Sequence, residues 1–220
     1  SFMLKEVSLF NLYTEQKQAL IMALTYKVSV LIGSAGTGKT YTVRTLIKLL
    51  KKYGYEAVIL APSAMAAALA AKESDCDYQT IHRFARILPE DEDLGEVKDL
   101  PKQDVAINSD LKFIIIDEMS MCTIPMFANF LAAIKKYPYI RLLLVGDICQ
   151  LPAIGPRFFD QVESGVLGKT IPITRLTQNK RSKSSLINFA NNVRCGKLSN
   201  VKNVIFYKNT SHLVLAVNSF

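Results

Sequence analysis

The chain has 220 residues, half of them hydrophobic, which is enough for one large domain or for one domain and part of a second. No uninterrupted apolar run approaches the ~18 residues of a membrane span, and the first residues lack a signal-peptide pattern, so we expect no membrane partner. The four cysteines are scattered without a C-x-x-C pair, which argues against a zinc site or a disulfide framework and for a reducing compartment.

The net charge of +8 is concentrated towards the C-terminal end. Residues 1–167 hold 18 Lys and Arg against 19 Asp and Glu, whereas residues 168–220 hold nine Lys and Arg and no acidic residue. This asymmetry indicates a polyanionic partner for that end, although a solvated basic surface would give the same count.

Short apolar strands alternate with helices along most of the chain, after a first helix that opens at Leu12–Ala19 with Thr14 as its N-cap. Four buried strands are predicted, at residues 28–32, 57–61, 113–117 and 140–146. Helices are predicted at residues 39–53, 64–72 and 125–136. The alternation predicts an α/β fold with a parallel sheet covered on both faces, and ligands of such sheets bind at the carboxyl ends of the strands.

Two stretches depart from this alternation. Residues 85–110 carry eight acidic residues and two prolines without clear periodicity, which indicates a surface insertion or a small subdomain. A new unit is predicted to start after Pro172, with a helix at 184–195 and strand-like runs at 204–207 and 213–215.

A complete phosphate-binding motif of the form G-x-x-x-x-G-K-[ST] follows the first strand and opens the next helix. The motif consists of Gly33, Ser34, Ala35, Gly36, Thr37, Gly38, Lys39 and Thr40. Its glycines allow backbone N–H groups to surround a phosphate at the positive end of the helix. Lys39 can then reach the β- and γ-phosphates, and the Thr40 hydroxyl can hold Mg²⁺, so the motif predicts binding of a nucleotide such as ATP.

Polar residues follow two of the other strands. Asp117 is placed to reach Mg²⁺ across from Thr40, and Glu118 to deprotonate a water for in-line attack on the γ-phosphate. Gln150 follows the 140–146 strand, where its amide could sense the γ-phosphate or the attacking water, or form an ordinary turn.

Other candidates are weaker when taken alone. Gln16 has an amide that could recognise adenine, and Arg181 could act as an arginine finger in cis, but both residue types are more often simple surface residues. Thr80 and His82 could contact a nucleic-acid backbone, although an N-cap role for Thr80 and a structural role for His82 are equally compatible with the sequence.

Seven sequence blocks follow one another with the order and spacing of superfamily 1B helicases, most similar to the RecD and Dda type. The resemblance spans about residues 9–200. The blocks are Leu12–Ala19, Gly33–Thr40, Leu60–Ala64, Thr80–Phe84, Ile116–Met121, Val145–Pro152 and Leu176–Ser182.

The resemblance implies a RecA-like P-loop ATPase domain at residues 1–172, with the acidic insertion in the place of a pin subdomain. Residues 173–220 would begin a second RecA-like domain. It further implies an intracellular helicase motor that uses ATP and Mg²⁺ for 5′-to-3′ movement on single-stranded DNA or on a duplex with a 5′ overhang. The compartment would be the cytoplasm, or the nucleus or a viral factory in a eukaryotic or viral setting.

Within this family the matching positions give each candidate a role. Gln16 would recognise the base, Lys39 and Thr40 would bind phosphate and Mg²⁺, and Gln150 and Arg181 would sense or stabilise the γ-phosphate. The residues that would line the DNA strand are Pro62, Ser63, Thr80 and His82.

The family's two later motifs are absent before Phe220, and the pin-like insertion is acidic. We therefore expect a fragment or a shortened gene product that does not unwind duplex DNA alone, and no oligomer is implied. Two alternatives remain open at this point. They are a non-catalytic ATP- and DNA-binding module and a viral-type superfamily 1 RNA helicase.

Overall fold

The computed structural model describes residues 2–68, 76–87, 106–147, 150, 158–163 and 171–178. Several predicted features lie outside these residues. They are the end of the helix predicted at residues 64–72, most of the acidic insertion, Arg181, the 184–195 helix and the strand-like runs after it.

Helices and strands alternate through the described part of the chain. The helices are α1 (Phe2–Val7), α2 (Thr14–Thr25), α3 (Lys39–Lys52), α4 (which includes residues 64–68), α5 (Ile81–Ala85), α6 (Ile124–Ile134) and α7 (Phe158–Glu163). The strands are β1 (Val28–Gly33), β2 (Glu56–Ala61), β3 (Asp77–Thr80), β4 (Leu111–Ile116), β5 (Arg141–Gly146) and β6 (Ile173–Leu176). A short 3₁₀ helix covers Met119–Met121.

The six strands form one parallel sheet in the order β3-β2-β4-β5-β1-β6. Helix α3 connects β1 to β2. These two strands are consecutive in the chain, but β5 and β4 lie between them in the sheet. Because all strands run the same way, their carboxyl ends meet at one edge, which is where ligands of such sheets bind. The predicted α/β fold with a parallel sheet is confirmed.

Both faces of the sheet are buried by helices, as alternate side chains along each strand require. Val30 and Ile32 of β1 pack on one face in a core with residues of α5, α6 and α7. Leu31, between them in sequence, packs on the other face in a core with residues of α1, α2 and α3. The phosphate motif therefore follows a strand whose two faces are both packed in hydrophobic cores.

Three details correct the sequence interpretation. The N-cap of α2 is Tyr13, and Thr14 is already the first helical residue. Strand β6 pairs with β1 from Val30↔Ile173 to Gly33↔Leu176, so the sheet continues four residues beyond the domain boundary predicted after residue 172. Ala85 and Ile87 are buried in the core, so the first residues of the predicted insertion belong to the domain itself.

Among the described residues, no helix has both the length and the apolar character needed to cross a membrane.

Candidate functional site: the phosphate loop and its neighbouring strand ends

The phosphate loop connects β1 directly to α3, as the motif predicted. Gly36 and Gly38 have φ values of 83° and 94°, a region of backbone conformation that glycine enters without steric cost. A Cβ on Gly33 would lie 2.4 Å from Oγ1 of Thr37, whose hydroxyl donates a hydrogen bond of 2.8 Å to the Ser34 carbonyl. The loop is thus closely packed around its glycines, and its amides precede the N-terminus of a 14-residue helix.

Lys39 places its ammonium group at the start of this loop. The Nζ atom donates a hydrogen bond of 2.6 Å to the Gly33 carbonyl, and the Ser34 carbonyl lies 3.3 Å away. Thr40, the next residue, is exposed at the second position of α3. The helix therefore starts with a lysine and a threonine on consecutive residues, the two residue types that phosphate and Mg²⁺ binding require at this position.

Asp117 follows β4 and is held by its backbone. Its N–H donates to the Leu60 carbonyl at 2.8 Å, and its Oδ1 accepts a hydrogen bond of 2.9 Å from the Glu118 N–H. Burial raises the pKa of the Asp117 carboxyl, while the Glu118 N–H and the Lys39 ammonium group oppose that rise.

Glu118 adopts a left-handed backbone conformation with φ of 53°, uncommon for a residue with a side chain. Burial raises the pKa of its carboxyl most strongly, and the Asp117 carboxylate adds to the rise. The Lys39 ammonium group and a hydrogen bond with the Gln150 side chain act in the opposite direction. A strained backbone and a raised carboxyl pKa at a strand end are typical of functional sites.

Gln150 therefore lies within hydrogen-bonding distance of Glu118. Its own backbone N–H donates a hydrogen bond of 3.1 Å to the carbonyl of Asp147, which follows β5. Asp147 is 1% exposed, and its charge contributes to the raised pKa of Glu118. Asp147 is not among the site residues predicted from the sequence, although an aspartate directly after a buried strand is the same signal that singled out Asp117.

Gln16 packs against the other end of the loop. Its side-chain Oε1 accepts a hydrogen bond of 3.1 Å from the Tyr13 N–H, and its Nε2 lies 3.4 Å from the Gly38 carbonyl. The residue is only 2% exposed. The amide is thus positioned beside the phosphate loop, and its recognition of adenine stays a prediction.

The residues predicted to line a nucleic-acid strand lie at the ends of β2 and β3, which are neighbours in the sheet. Ser63 accepts a hydrogen bond of 3.2 Å from the Ala66 N–H at the start of α4. Thr80 is the N-cap of α5 and accepts one of 3.2 Å from the Arg83 N–H. The N-cap role of Thr80 is confirmed. Its contact with nucleic acid, like those of Pro62 and His82, stays a prediction.

A family model described as an AAA domain matches residues 11–217. That match covers nearly the whole chain and includes every candidate residue named above. The chain belongs to this AAA domain family.

Helicases are prominent among the relatives of this AAA domain. The ATP-dependent DNA helicase dda of Enterobacteria phage T4 is 32% identical over 170 residues, which are 75% of this chain and 37% of the relative. The ATP-dependent RecD2 DNA helicase of Deinococcus radiodurans is 28% identical over 193 residues, which are 85% of this chain and 24% of the relative. The chain thus spans well under half the length of these two relatives.

Among solved structures, the Pif1 helicase from Candida albicans superimposes with a TM-score of 0.62 at 26% identity. The match covers 87% of this chain and 46% of that one. The fold similarity therefore extends over nearly all of this AAA domain.

The structure brings four of the candidate residues of the AAA domain into one electrostatic group. Lys39 acts on both Asp117 and Glu118, and Gln150 is hydrogen-bonded to Glu118. Gln16 contacts the same loop from helix α2. Arg181 lies outside the described residues, so its predicted role is not placed by the structure.

Proposed function

We propose that this AAA domain binds and hydrolyses ATP as the motor domain of a DNA helicase of the RecD and Dda type. The observation that carries the proposal is the convergence of Lys39, the Asp117–Glu118 pair and Gln150 beside the phosphate loop. The relatives are named ATP-dependent DNA helicases, which supports the choice of ATP and DNA.

The donor set at this edge fits Mg²⁺. The Asp117 carboxylate and the exposed Thr40 hydroxyl are hard oxygen ligands, which this ion prefers. When bound, Mg²⁺ would neutralise charge on the β- and γ-phosphate oxygens. Asp117 and Thr40 would hold it.

In the hydrolysis step, Lys39 would exchange its contact with the Gly33 carbonyl for phosphate oxygens. Glu118 would accept a proton of the attacking water at its carboxylate while the water oxygen bonds to the γ-phosphorus. The bond from that phosphorus to the β–γ bridging oxygen would break, and ADP would leave. A general base works best when its pKa approaches the ambient pH, and burial raises the pKa of Glu118 in that direction. Gln150, hydrogen-bonded to the same carboxylate, would orient it and respond to the γ-phosphate.

Single-stranded DNA would lie across the ends of β2 and β3, against Pro62, Ser63, Thr80 and His82. The nine positive charges of residues 168–220 would add phosphate contacts. We propose 5′-to-3′ movement, as in the helicase type the sequence resembles, and Arg181 as a further contact to the γ-phosphate. Such a motor acts inside the cell, where DNA and ATP are both present.

The test is ATP turnover by the 220-residue chain with Mg²⁺, alone and with single-stranded DNA or RNA of the same sequence. We expect ATP binding that requires Mg²⁺ and turnover that DNA raises more than RNA does. ATP binding without turnover under any condition would identify a non-catalytic module, and stronger stimulation by RNA would identify an RNA helicase.

DNA affinity measured over a salt series tests the nucleic-acid part separately. Contacts to DNA phosphates release counterions, so binding should weaken steeply as salt rises. Affinity that is independent of salt would contradict the assignment of residues 168–220 as a DNA-binding surface.

A further inference from the structure

The carboxylate of Glu15 holds the residue that follows strand β6. Its Oε2 accepts a hydrogen bond of 2.8 Å from the Thr177 N–H, and its Oε1 accepts one of 2.6 Å from the Thr177 hydroxyl. These hydrogen bonds, the hydroxyl first, lower the pKa of Glu15, and the Gln178 N–H contributes in the same direction. Glu15 is therefore ionised at neutral pH and bound at both oxygens.

Glu15 binds the chain directly after β6, which is the edge strand of the described sheet. Strand β6 pairs with β1 as far as Gly33↔Leu176, and β1 then turns away into the phosphate loop. The Val30 N–H donates to the Pro172 carbonyl, so the β6 amides that face β1 are those of Thr174 and Leu176. The Thr177 N–H is not one of these ladder amides, and the Glu15 carboxylate accepts its hydrogen bond instead. The end of β6 also packs closely on the loop, since a Cβ on Gly33 would lie 3.1 Å from the Leu176 Cβ.

The neighbouring residue Gln16 contacts the last glycine of the same loop, with Nε2 lying 3.4 Å from the Gly38 carbonyl. One helical turn of α2 thus contacts both the phosphate loop and the chain that leaves β6. In the sequence that chain continues to Arg181, four residues beyond Thr177.

We propose that Glu15 is a positioning residue that couples nucleotide occupancy of the phosphate loop to the segment after β6. The proposal rests on the proposed function, because it requires that a nucleotide binds the loop. Phosphates that bind the loop shift its Gly38 end, and Gln16 moves with it. The adjacent Glu15 then binds Thr177 more tightly.

The location of the contact suits a coupling role. Glu15 is half-buried and Thr177 is exposed, so water competes for both hydrogen bonds and the contact can open and close in the native state. A contact that opens can be shifted by a ligand, whereas a permanently closed one cannot.

Amide-resolved hydrogen exchange at Thr177 tests the proposal on the 220-residue chain. A slowly hydrolysed ATP analogue with Mg²⁺ is the probe, and its binding is measured on the same samples. We expect the analogue to slow exchange of the Thr177 amide at least about fivefold, the lower end of typical coupling between sites.

The coupling must be reciprocal, which makes the test quantitative. If bound nucleotide stabilises the Glu15–Thr177 contact by a given factor, the contact must raise the affinity for the nucleotide by the same factor. Glu15→Ala should therefore bind the analogue more weakly by the same factor, and the analogue should no longer change exchange at Thr177. Glu15→Gln, which keeps the oxygen that can accept from the Thr177 N–H, should lose only part of the coupling.

Glu6→Ala is the matched control. Glu6 is also half-buried and also accepts hydrogen bonds at both oxygens, from Lys52 and Tyr53, but these lie at the far end of α3, about 20 Å from the loop. Glu6→Ala should keep the affinity and the response at Thr177 of the parent.

The outcomes separate the two proposals. Normal binding of the analogue with unchanged exchange at Thr177 in the parent would overturn the coupling and leave the nucleotide site intact. If Glu6→Ala and Glu15→Ala lower the affinity and the response at Thr177 equally, the coupling is overturned as well, because the loss would then come from general destabilisation. Absence of binding to the parent would overturn both the proposed function and the coupling that depends on it.

Discussion

The Lys39 ammonium group donates a hydrogen bond of 2.6 Å to the carbonyl of Gly33, the residue at which β1 ends and the phosphate loop begins. The cation is thus held at the loop by the loop's own backbone. In the proposed function this cation would meet the nucleotide phosphates, and the same ammonium group also acts on the carboxyls of Asp117 and Glu118.

The first prediction concerns this cation. Lys39→Ala removes the side-chain ammonium of the loop and should abolish measurable affinity for a fluorescent ATP analogue, while the thermal unfolding transition persists. Lys48→Ala, an exposed lysine of the same helix, is the control and should bind as the parent does. Parent-like affinity in Lys39→Ala would show that the phosphate-loop assignment is wrong.

The second prediction concerns the base. Glu118→Gln keeps the size of the side chain and one acceptor oxygen, but its neutral amide cannot act as a base. Binding of Mg²⁺ and ATP should persist, and single-turnover hydrolysis should fall by roughly 10²–10⁴-fold, the usual contribution of a general base. Hydrolysis at the parent rate would remove Glu118 from the mechanism.

The third prediction is a shift in pH dependence caused by Gln150. The hydrogen bond from Gln150 lowers the pKa of Glu118, which burial has raised above its ordinary value. Since the base must be ionised, hydrolysis should fall as the pH drops through that raised pKa. Gln150→Ala removes the lowering contact, so the acidic limb of the rate profile should move to higher pH. If the acidic limb of the Gln150→Ala profile lies at the same pH as that of the parent, the side chains of Gln150 and Glu118 do not interact during hydrolysis.

The fourth prediction links Asp117 to stability. Burial raises the pKa of this carboxyl, so the folded state holds its proton more tightly than the unfolded state does, and ionisation costs stability as the pH rises above the ordinary value of 3.8. Asp117→Asn keeps an oxygen to accept from the Glu118 N–H and carries no charge. Without ligand, it should melt at a higher temperature than the parent at neutral pH.

This difference in melting temperature should shrink as the pH falls and Asp117 becomes protonated in both states. Asp110→Asn, at an exposed carboxylate, serves as the comparison. A melting temperature for Asp117→Asn equal to the parent's at neutral pH would contradict the assigned effect of burial.

The sequence predicted the strands that are mostly apolar and missed the two in which polar residues make up half or more. Strands β1, β2, β4 and β5 supply the buried centre of the sheet, and the apolar runs towards their carboxyl ends follow from burial on both faces. Strands β3 and β6 are edge strands of four residues, Asp-Tyr-Gln-Thr and Ile-Thr-Arg-Leu. Their polar residues interrupt the apolar run by which a buried strand is predicted.

The site divides in a similar way. Motif spacing placed the phosphate loop and the acidic pair, because parallel strands must bring their carboxyl ends to one edge. The contacts of Gln16 with Gly38 and of Glu15 with Thr177 join residues that are 22 and 162 positions apart. Such pairs depend on how α2 packs beside β1 and β6, which no local pattern in the sequence encodes.

The last prediction separates backbone strain from contact with Gln16. Gly38 and Gly54 have φ values of 94° and 73°, so Gly→Ala at either position forces a side chain into the left-handed region, at a cost of about 1–2 kcal/mol. A Cβ on Gly38 would also lie 2.5 Å from the Gln16 Nε2, whereas one on Gly54 would meet nothing within 4 Å.

Both variants should therefore melt a few degrees below the parent, by about 2–4 °C for each kcal/mol in a domain of this size. Only Gly38→Ala should lose affinity for the ATP analogue, because the new methyl group displaces the Gln16 amide and strains the loop that receives the phosphates. Equal loss of affinity in Gly54→Ala would trace the effect to general destabilisation, and parent-like affinity in Gly38→Ala would show that phosphate binding does not depend on this glycine or on its contact with Gln16.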